Sequence, residues 1–210
     1  MIEQRSKEWF ESRRGKFTAS NISQILTKGK SKGSVGASLH SLALDKAIEH
    51  LYGVSDEGFT SFDMQRGIDL EPKALSKLSE ILAEDFIDVT ESEFVPYGDD
   101  AGASPDGAAS NNWNIEIKCP NRTNFFKMVI SEDIKKEYYD QMQMQMLATE
   151  TEGTYFFNYY EDSEGKVFYH LIEVARDEER IELIKERLEI ATESKQCAIN
   201  EMKHKAQYNV

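Results

Sequence analysis

The chain has 210 residues, of which 40% are hydrophobic and 30% charged, a composition typical of a single globular domain. No apolar run reaches the roughly 20 residues that a membrane-spanning helix needs, so we expect none. The two cysteines, Cys119 and Cys197, have no neighbour at zinc-finger or redox spacing, and we expect both to be reduced thiols. The polar N-terminal segment lacks the apolar stretch of a signal peptide, so we expect a cytoplasmic location.

The net charge of −13 is unfavourable for a protein that binds nucleic acid, because Lys and Arg must replace the counterions of the phosphates. The charge is unevenly distributed, however. Residues 1–32 contain eight Lys and Arg against three Glu, a net charge of +5. This pattern indicates a protein that binds phosphate on one restricted surface. For Lys28, Lys30 and Lys32, the alternative is a solvated surface loop.

In chain order, capping residues and apolar spacing predict alternating helices and strands. The first half is predicted to contain a short helix over 20–27, a loop over 28–38, helices over 39–51 and 72–84, and a strand over 86–97. The second half is predicted to contain a glycine-rich turn over 98–107, a strand over 113–118, a helix capped by Ser131, strands over 154–160 and 166–174, and a long helix capped by Asp177. This order predicts one α/β domain over residues 1–210, with a small mixed sheet flanked by helices.

The most informative stretch for chemistry is Asp106, followed ten residues later by Glu116-Ile117-Lys118. Alternate side chains of a strand share a face, so Glu116 and Lys118 point away from the apolar side. Asp106, on the preceding turn, can lie beside Glu116. Converging carboxylates predict a Mg²⁺ site, where the lysine can orient water or neutralise charge on phosphorus. The alternative is a plain turn followed by a solvent-facing ion pair.

A further carboxylate, Glu71, lies on the apolar stripe of the predicted helix over 72–84, where Pro72 is placed in the first turn. A carboxylate on such a stripe needs a partner, which a metal ion would provide. The alternative is a glutamate in the first helical turn that interacts favourably with the helix dipole.

Five motifs resemble those of the YqaJ-type viral recombinase nucleases, the phage lambda exonuclease family within the PD-(D/E)XK superfamily. In order, they are Trp9–Ser20 (WxxxRxGxxTAS), Gly67–Glu71 (glycine to glutamate), Ser104–Gly107 (SPDG), Glu116–Pro120 (ExKCP) and Tyr138–Gln143 (YxxQxQ). The likeness extends from residue 9 to about residue 160. The last fifty residues contain no motif of the family.

The resemblance implies a restriction-endonuclease-like core and a Mg²⁺-dependent exonuclease, with Mn²⁺ as a substitute. Such an enzyme needs no ATP, digests one strand of linear double-stranded DNA from 5′ to 3′, and leaves 3′ single-stranded tails for recombination. The resemblance further implies a ring-shaped homotrimer and a single-strand annealing protein as partner. It places Glu71, Asp106, Glu116 and the carbonyl of Ile117 around the metal and makes Lys118 catalytic.

The resemblance also implies a binding site for the 5′ phosphate, formed by Arg13, Ser20 and Thr18. A guanidinium can bind a phosphate through two hydrogen bonds, and a hydroxyl at a helix start adds a donor. Gln141 is placed at the catalytic site, and Met64 at the position of an apolar wedge that opens the duplex end. The alternatives are an exposed, ion-paired Arg13, a solvated Gln141 beside packing methionines, and a core Met64.

Two residues depart from the family pattern. Arg66 stands where an aromatic residue is expected, and Leu70 precedes the glutamate. These departures concern how the duplex end is handled and leave the metal chemistry unaffected.

Two other functions fit part of the same sequence signals. One is a different PD-(D/E)XK nuclease, such as a Cas4- or RecB-like nuclease or a structure-specific endonuclease, and the other is a catalytically inactive DNA-end-binding recombination accessory protein.

Overall fold

The computed structural model describes residues 4–31, 34–53 and 62–205, and contains seven α-helices and eight strands within these ranges. The helices are α1 (Lys7–Arg13), α2 (Ile22–Ile25), α3 (Ala37–Tyr52), α4 (Phe62–Ala83), α5 (Arg122–Ser131), α6 (Lys136–Thr149) and α7 (Glu178–Lys205). The strands are β1 (Phe17–Thr18), β2 (Val89–Thr90), β3 (Val95–Tyr97), β4 (Ala101–Ala103), β5 (Gly107–Ala109), β6 (Trp113–Lys118), β7 (Gly153–Glu161) and β8 (Val167–Ala175). No helix in these ranges is long and apolar enough to span a membrane. Lys32, from the basic N-terminal segment, lies outside them.

The strands form two mixed sheets. The larger sheet has the order β2-β5-β6-β7-β8, and the smaller one has the order β1-β4-β3. β6 and β7 run parallel, while the other pairs of the larger sheet are antiparallel. The predicted α/β architecture with a small mixed sheet and flanking helices is confirmed.

Helices cover both faces of the larger sheet. On one face, Ala74 and Leu78 of α4 pack against Ile115 and Ile117 of β6. On the other, Met128 of α5 and Met142 and Met146 of α6 pack against Phe156 of β7. β6 is therefore buried on both sides, and its two faces carry different chemistry. Its isoleucines point into the core beneath α4, while Glu116 points towards α6.

A second core joins the smaller sheet to α2, α3 and α7, with residues such as Phe17, Ile22, Leu39 and Ile184. α6 lies between the two cores. Its three methionines are fully buried, so the prediction that they serve packing is confirmed; they are Met142, Met144 and Met146.

Several predicted boundaries are confirmed. β6 covers 113–118 as expected, and α3 ends at Tyr52 and is followed by Gly53, whose φ of +85° favours glycine. The hairpin between β7 and β8 contains Gly165 at a φ of +79°. Asp177 caps α7, and its Oδ1 accepts a hydrogen bond of 3.0 Å from the main-chain N–H of Arg180.

The single strand predicted over 86–97 is wrong, because the structure has two short strands in different sheets. β2 pairs with β5, whereas β3 pairs with β4. Alternation of side chains indicates an extended chain, but it carries no information on a change of pairing partner. The predicted turn over 98–107 likewise contains β4, whose sequence Ala-Gly-Ala lacks the β-branched residues that indicate strands. Gly102 is required there, because an added Cβ would lie 2.3 Å from the Phe94 ring.

The helix predicted to start at Pro72 begins at Phe62, so Pro72 lies inside α4. A proline removes one helical hydrogen bond, yet tertiary packing can still hold the flanking turns in one helix. Leu70 and Ala74, on either side of Pro72, both pack into the core beneath the sheet. Glu71 therefore lies in the helix interior, and the alternative that it stabilises a first turn is wrong.

The prediction of Ser131 as a helix cap is also wrong. Ser131 is the last residue of α5, which is capped by Asn121 through a hydrogen bond of 3.0 Å from the N–H of Asn124. The following helix, α6, starts at Lys136 and has no side-chain cap. Ser131 instead accepts a hydrogen bond from the N–H of Asp133 in the connecting turn, which is a common alternative use of a serine hydroxyl.

Candidate catalytic site

A cleft with a volume of about 1020 Å³ lies beside the C-terminal end of β6. Its walls come from α1, the first turns of α4, and the α5–α6 pair. Nine of the ten site residues predicted from the sequence line this cleft: Arg13, Ser20, Met64, Glu71, Asp106, Glu116, Ile117, Lys118 and Gln141. The tenth, Thr18, is buried, with its hydroxyl 3.1 Å from that of Ser20.

Glu116 is the most fully bonded of the acidic residues. Its side chain is 1% exposed, and Oε1 accepts hydrogen bonds from the Lys118 amine and, at 2.7 Å, from Gln141. Oε2 accepts one at 2.5 Å from Gln145. Two amides and an ammonium group compensate the burial of this carboxylate and fix its orientation.

Gln145 is a site residue that the sequence analysis missed. It follows Gln141 by four residues, and this spacing places both side chains on one face of α6. That spacing was the available signal. Gln143, although part of the YxxQxQ motif, points elsewhere and bonds Ala175 and Asp177.

Asp106 is held against β6 by two hydrogen bonds. Its N–H donates to the carbonyl of Ile115 at 2.9 Å, and its Oδ2 accepts from the N–H of Ile117 at 2.6 Å. The carboxylate thus extends the ladder between β5 and β6. The main-chain N–H and C=O of a strand residue point to the same edge, so the Ile117 carbonyl also faces Asp106. Burial, and then the nearby charges of Glu116 and Glu71, raise the pKa of Asp106 well above its usual range.

Lys118 lies at the rim of this acidic group, with 24% of its side chain exposed. Its ammonium group pairs with Glu116 and lies 4.9 Å from the centre of the Tyr138 ring. Burial alone would lower the pKa of Lys118, but the charges of Glu116 and Asp106 outweigh it and raise this pKa. The side chain is therefore a permanent cation at neutral pH and is unsuited to act as a proton acceptor.

Glu71 lines the same cleft, and its charge contributes to the raised pKa of Asp106. Its Oε2 forms an ion pair of 2.6 Å with Arg5. No three Asp, Glu, His or Cys side chains within the described ranges are grouped closely enough to hold one ion. The structure thus brings Asp106, Glu116 and the Ile117 carbonyl together, and Glu71 lines the same cleft with Arg5 as its ion-pair partner. Two carboxylates and a main-chain oxygen still fit Mg²⁺, which completes its shell with water and phosphate oxygens.

Cys119 follows Lys118 at the end of β6. Burial, and then the charges of Glu71 and Asp106, raise the pKa of its thiol to about 12. Cys119 and Cys197 are both free, as expected. The thiol stays protonated at neutral pH and is therefore not a nucleophile.

Arg13 is a half-buried residue that lines the same cleft. It donates a hydrogen bond of 2.7 Å to Ser104, and its guanidinium lies 4.0 Å from the centre of the Trp9 ring. Burial lowers the pKa of Arg13 to about 10, although the charge of Glu49 opposes this effect. Among the described residues it has no carboxylate within ion-pair distance, so the alternative of an exposed, ion-paired arginine is wrong.

The first turns of α4 form the remaining wall. Met64 is 58% exposed, so the alternative that it belongs to the core is wrong. Arg66 pairs with Asp63 at 2.9 Å and donates to the carbonyl of Cys119 at 3.0 Å. This arginine therefore links the start of α4 to the end of β6.

The chain was also compared with known protein families and solved structures. The family model described as YqaJ-like viral recombinase domain matches residues 8–152. The crystal structure of an alkaline exonuclease, LHK-Exo, from Laribacter hongkongensis is 29% identical with a TM-score of 0.81, covering 95% of this chain and 97% of that one. The structure of LHK-Exo in complex with dAMP gives 30% identity and a TM-score of 0.77 over the same shares. A phage-related exonuclease from Haemophilus somnus 129PT, at 23% identity and a TM-score of 0.72 over 92% and 99% of the two chains, shows the fold alone. No curated protein matches the chain.

Proposed function

The chain belongs to the YqaJ-like viral recombinase domain family, and on this basis we propose that it is a nuclease that digests one strand of linear double-stranded DNA from an end. The predicted resemblance and the restriction-endonuclease-like fold are confirmed. One relative named as an alkaline exonuclease, LHK-Exo, is about as long as this chain and 29–30% identical in two structures, and it supports exonuclease action. We further propose 5′-to-3′ polarity, independence of ATP, and 3′ single-stranded tails as products.

One observation carries this proposal. Asp106, Glu116, the Ile117 carbonyl and Lys118 converge on one wall of a cleft that also contains Arg13. Three cations that line the cleft have no carboxylate partner among the described residues, namely Arg13, Lys127 and Lys135. In an otherwise acidic protein, such cations favour a bound phosphodiester strand.

We propose that Asp106, Glu116 and the Ile117 carbonyl hold Mg²⁺, for which Mn²⁺ can substitute. When bound, the ion supplies charge for the phosphoryl transition state and an activated water. The amides of Gln141 and Gln145 keep Glu116 oriented. Lys118, as a cation, stabilises negative charge that develops on the phosphate oxygens.

We propose that the 5′ end of the strand binds at Arg13 in this cleft. Arg13 is the half-buried cation there, with Ser20 adding a hydroxyl and Thr18 orienting it. A terminal phosphate held at Arg13 would place a phosphodiester bond beside Asp106 and Glu116, which makes cleavage dependent on an end. We propose that Met64, which is exposed in this cleft, contacts the terminal base pair.

The proposal is tested by incubating linear and covalently closed DNA with and without Mg²⁺. We expect loss of the linear form alone and only with Mg²⁺. An endonuclease would attack both forms, and a catalytically inactive end-binding protein would degrade neither.

The matched variants are Lys118→Ala and Lys73→Ala. Lys118→Ala should lower the rate by at least about 100-fold and retain DNA binding, because it removes charge only from the reacting centre. Lys73 lies on the surface and pairs with Glu161, so Lys73→Ala should cleave at the wild-type rate. Wild-type turnover in Lys118→Ala would contradict the assignment.

A further inference from the structure

A row of three polar side chains crosses the face of the larger sheet that carries Glu116. Lys118 of β6 is the register partner of Asn158 on β7, and Asn158 is the register partner of His170 on β8. Register partners on adjacent strands point to the same face and have neighbouring side chains about 5 Å apart. The row therefore runs from Lys118 to the edge of the sheet.

Asn158, at the centre of this row, is an anomaly of the core. It is 0% exposed, yet neither its amide nitrogen nor its carbonyl oxygen has a hydrogen-bond partner among the described residues. The Nδ1 atom of His170 is also buried without a partner. Phe156 precedes Asn158 on the same face, and the Tyr160 and Phe168 rings follow it. A buried, unpaired amide in apolar surroundings costs stability, so packing does not explain why asparagine occupies this position.

The bonding of Lys118 suggests what the amide can do. The Lys118 ammonium donates to Oε1 of Glu116, and Gln141 donates to the same oxygen. A divalent ion bound to Glu116 would compete with the ammonium group for this carboxylate. Once displaced, Lys118 needs another acceptor on the same face, and Asn158 has an unused carbonyl beside it.

We propose that Asn158 is a positioning residue for Lys118. Its side-chain carbonyl accepts a hydrogen bond from the Lys118 ammonium when a divalent ion occupies Glu116. In that ion-bound state the Asn158 amide donates a hydrogen bond to Nδ1 of His170, which fixes the orientation of the amide; without the ion neither atom has a partner among the described residues. The row thus keeps the cation near the reacting phosphate and off the metal ligand. This inference rests on the proposed function.

The test is Asn158→Leu, which removes both hydrogen-bonding groups at nearly constant volume. The free energy of unfolding should stay the same or rise, because an unpaired buried amide is replaced by an apolar group. The affinity for Mn²⁺, measured by titration calorimetry without DNA, should fall roughly tenfold, as expected for the loss of one hydrogen bond to a charged group. An asparagine with a purely structural role would leave the Mn²⁺ affinity unchanged.

A double-mutant cycle isolates the link to Lys118. In a Lys118→Met background the competing ammonium is absent, so Asn158→Leu should no longer alter Mn²⁺ affinity. Thr154→Val is the matched control. Thr154 is 0% exposed, lies four residues before Asn158 on the same strand and face, and has a hydroxyl without a partner in the described part of the chain. This control should bind Mn²⁺ as the wild type does.

The outcomes separate the inference from the proposed function. Wild-type Mn²⁺ affinity in folded Asn158→Leu, or an equal loss in the Lys118→Met background, overturns the inference while DNA cleavage by the wild type upholds the function. If the wild type neither binds Mn²⁺ nor cleaves DNA, both fail. If Asn158→Leu does not fold, His170→Leu, half-buried on the edge strand β8, should show a smaller loss of Mn²⁺ affinity, and wild-type affinity there overturns the inference.

Discussion

Glu116 and Asp106 show, at the scale of single residues, how the fold prepares carboxylates for a cation. Glu116 is held by side chains from α6 and β6, and Asp106 by main-chain groups of β6. Both carboxylates are thus held in fixed orientations, and preorganised polar groups make electrostatic catalysis efficient. The raised pKa of Lys118 keeps a positive charge beside them at all pH values near neutrality.

The proposed contact between Arg13 and the 5′ phosphate can be tested by substitution. Arg13→Ala should slow cleavage of duplexes with a 5′ phosphate roughly 10- to 100-fold, the effect of losing a hydrogen bond between charged groups, and should change 5′-hydroxyl duplexes little. Its neighbour Arg14 pairs with Glu11 at 3.0 Å and is 43% exposed, so Arg14→Ala is the matched control. Initial rates on the two kinds of end are to be compared. An equal loss on both would contradict a role in phosphate binding.

Individual site residues were predictable where the chain places them close together along the sequence. Asp106, Glu116 and Lys118 lie within thirteen positions, and strand geometry alone orients two of them. The ion pair between Arg5 and Glu71 joins residues 66 positions apart. No local pattern indicates such a pairing.

At the scale of secondary structure, α7 packs its apolar side against the core of the smaller sheet. Its cap, Asp177, accepts hydrogen bonds from the N–H of Arg180 and, at 2.7 Å, from the hydroxyl of Tyr139. These bonds, the main-chain one first, lower the pKa of Asp177. The cap therefore joins α7 to α6, the helix that carries Gln141 and Gln145.

Asp177→Ala should lower the free energy of unfolding by about 1 kcal/mol at neutral pH, the usual effect of removing an N-cap. Because folding lowers the pKa of Asp177, the charge-dependent part of this contribution is complete above about pH 4 and is lost as the pH falls through the folded pKa. Urea denaturation at pH 7 and pH 3 measures both. Glu182→Ala, on the exposed face of α7, is the control and should change stability by less than about 0.5 kcal/mol. An Asp177→Ala variant with wild-type stability at pH 7 would contradict the capping role of Asp177.

Elements were predictable from sequence when local pattern and tertiary packing agree, as in α3, β6 and the β7–β8 hairpin. They were not when packing overrides the local signal. Pro72 locally favours a helix start, yet α4 continues through it because residues on both sides pack beneath the sheet. The change of sheet between β2 and β3 depends on their partners β5 and β4, and alternation cannot reveal those.

At the scale of the whole molecule, the charge of −13 must be reconciled with a polyanionic substrate. The cleft contains cations that lack acidic partners in the described ranges, so attraction is confined to one surface while the rest of the protein repels DNA. We propose that a ring-shaped homotrimer encloses that surface and that a single-strand annealing protein receives the exposed strand. Both proposals concern assembly, which the sequence of one chain does not encode in any local motif.

The polarity of digestion on a blunt linear duplex, with either the 5′ or the 3′ end of one strand labelled, tests the central claim most directly. With Mg²⁺, the account predicts immediate release of the 5′ label as a short product, while the 3′ label stays on a progressively shortening strand. Without Mg²⁺ neither label should be released, and the labelled strand should keep its full length. Immediate release of the 3′ label, or release that persists in excess chelator, would contradict the account.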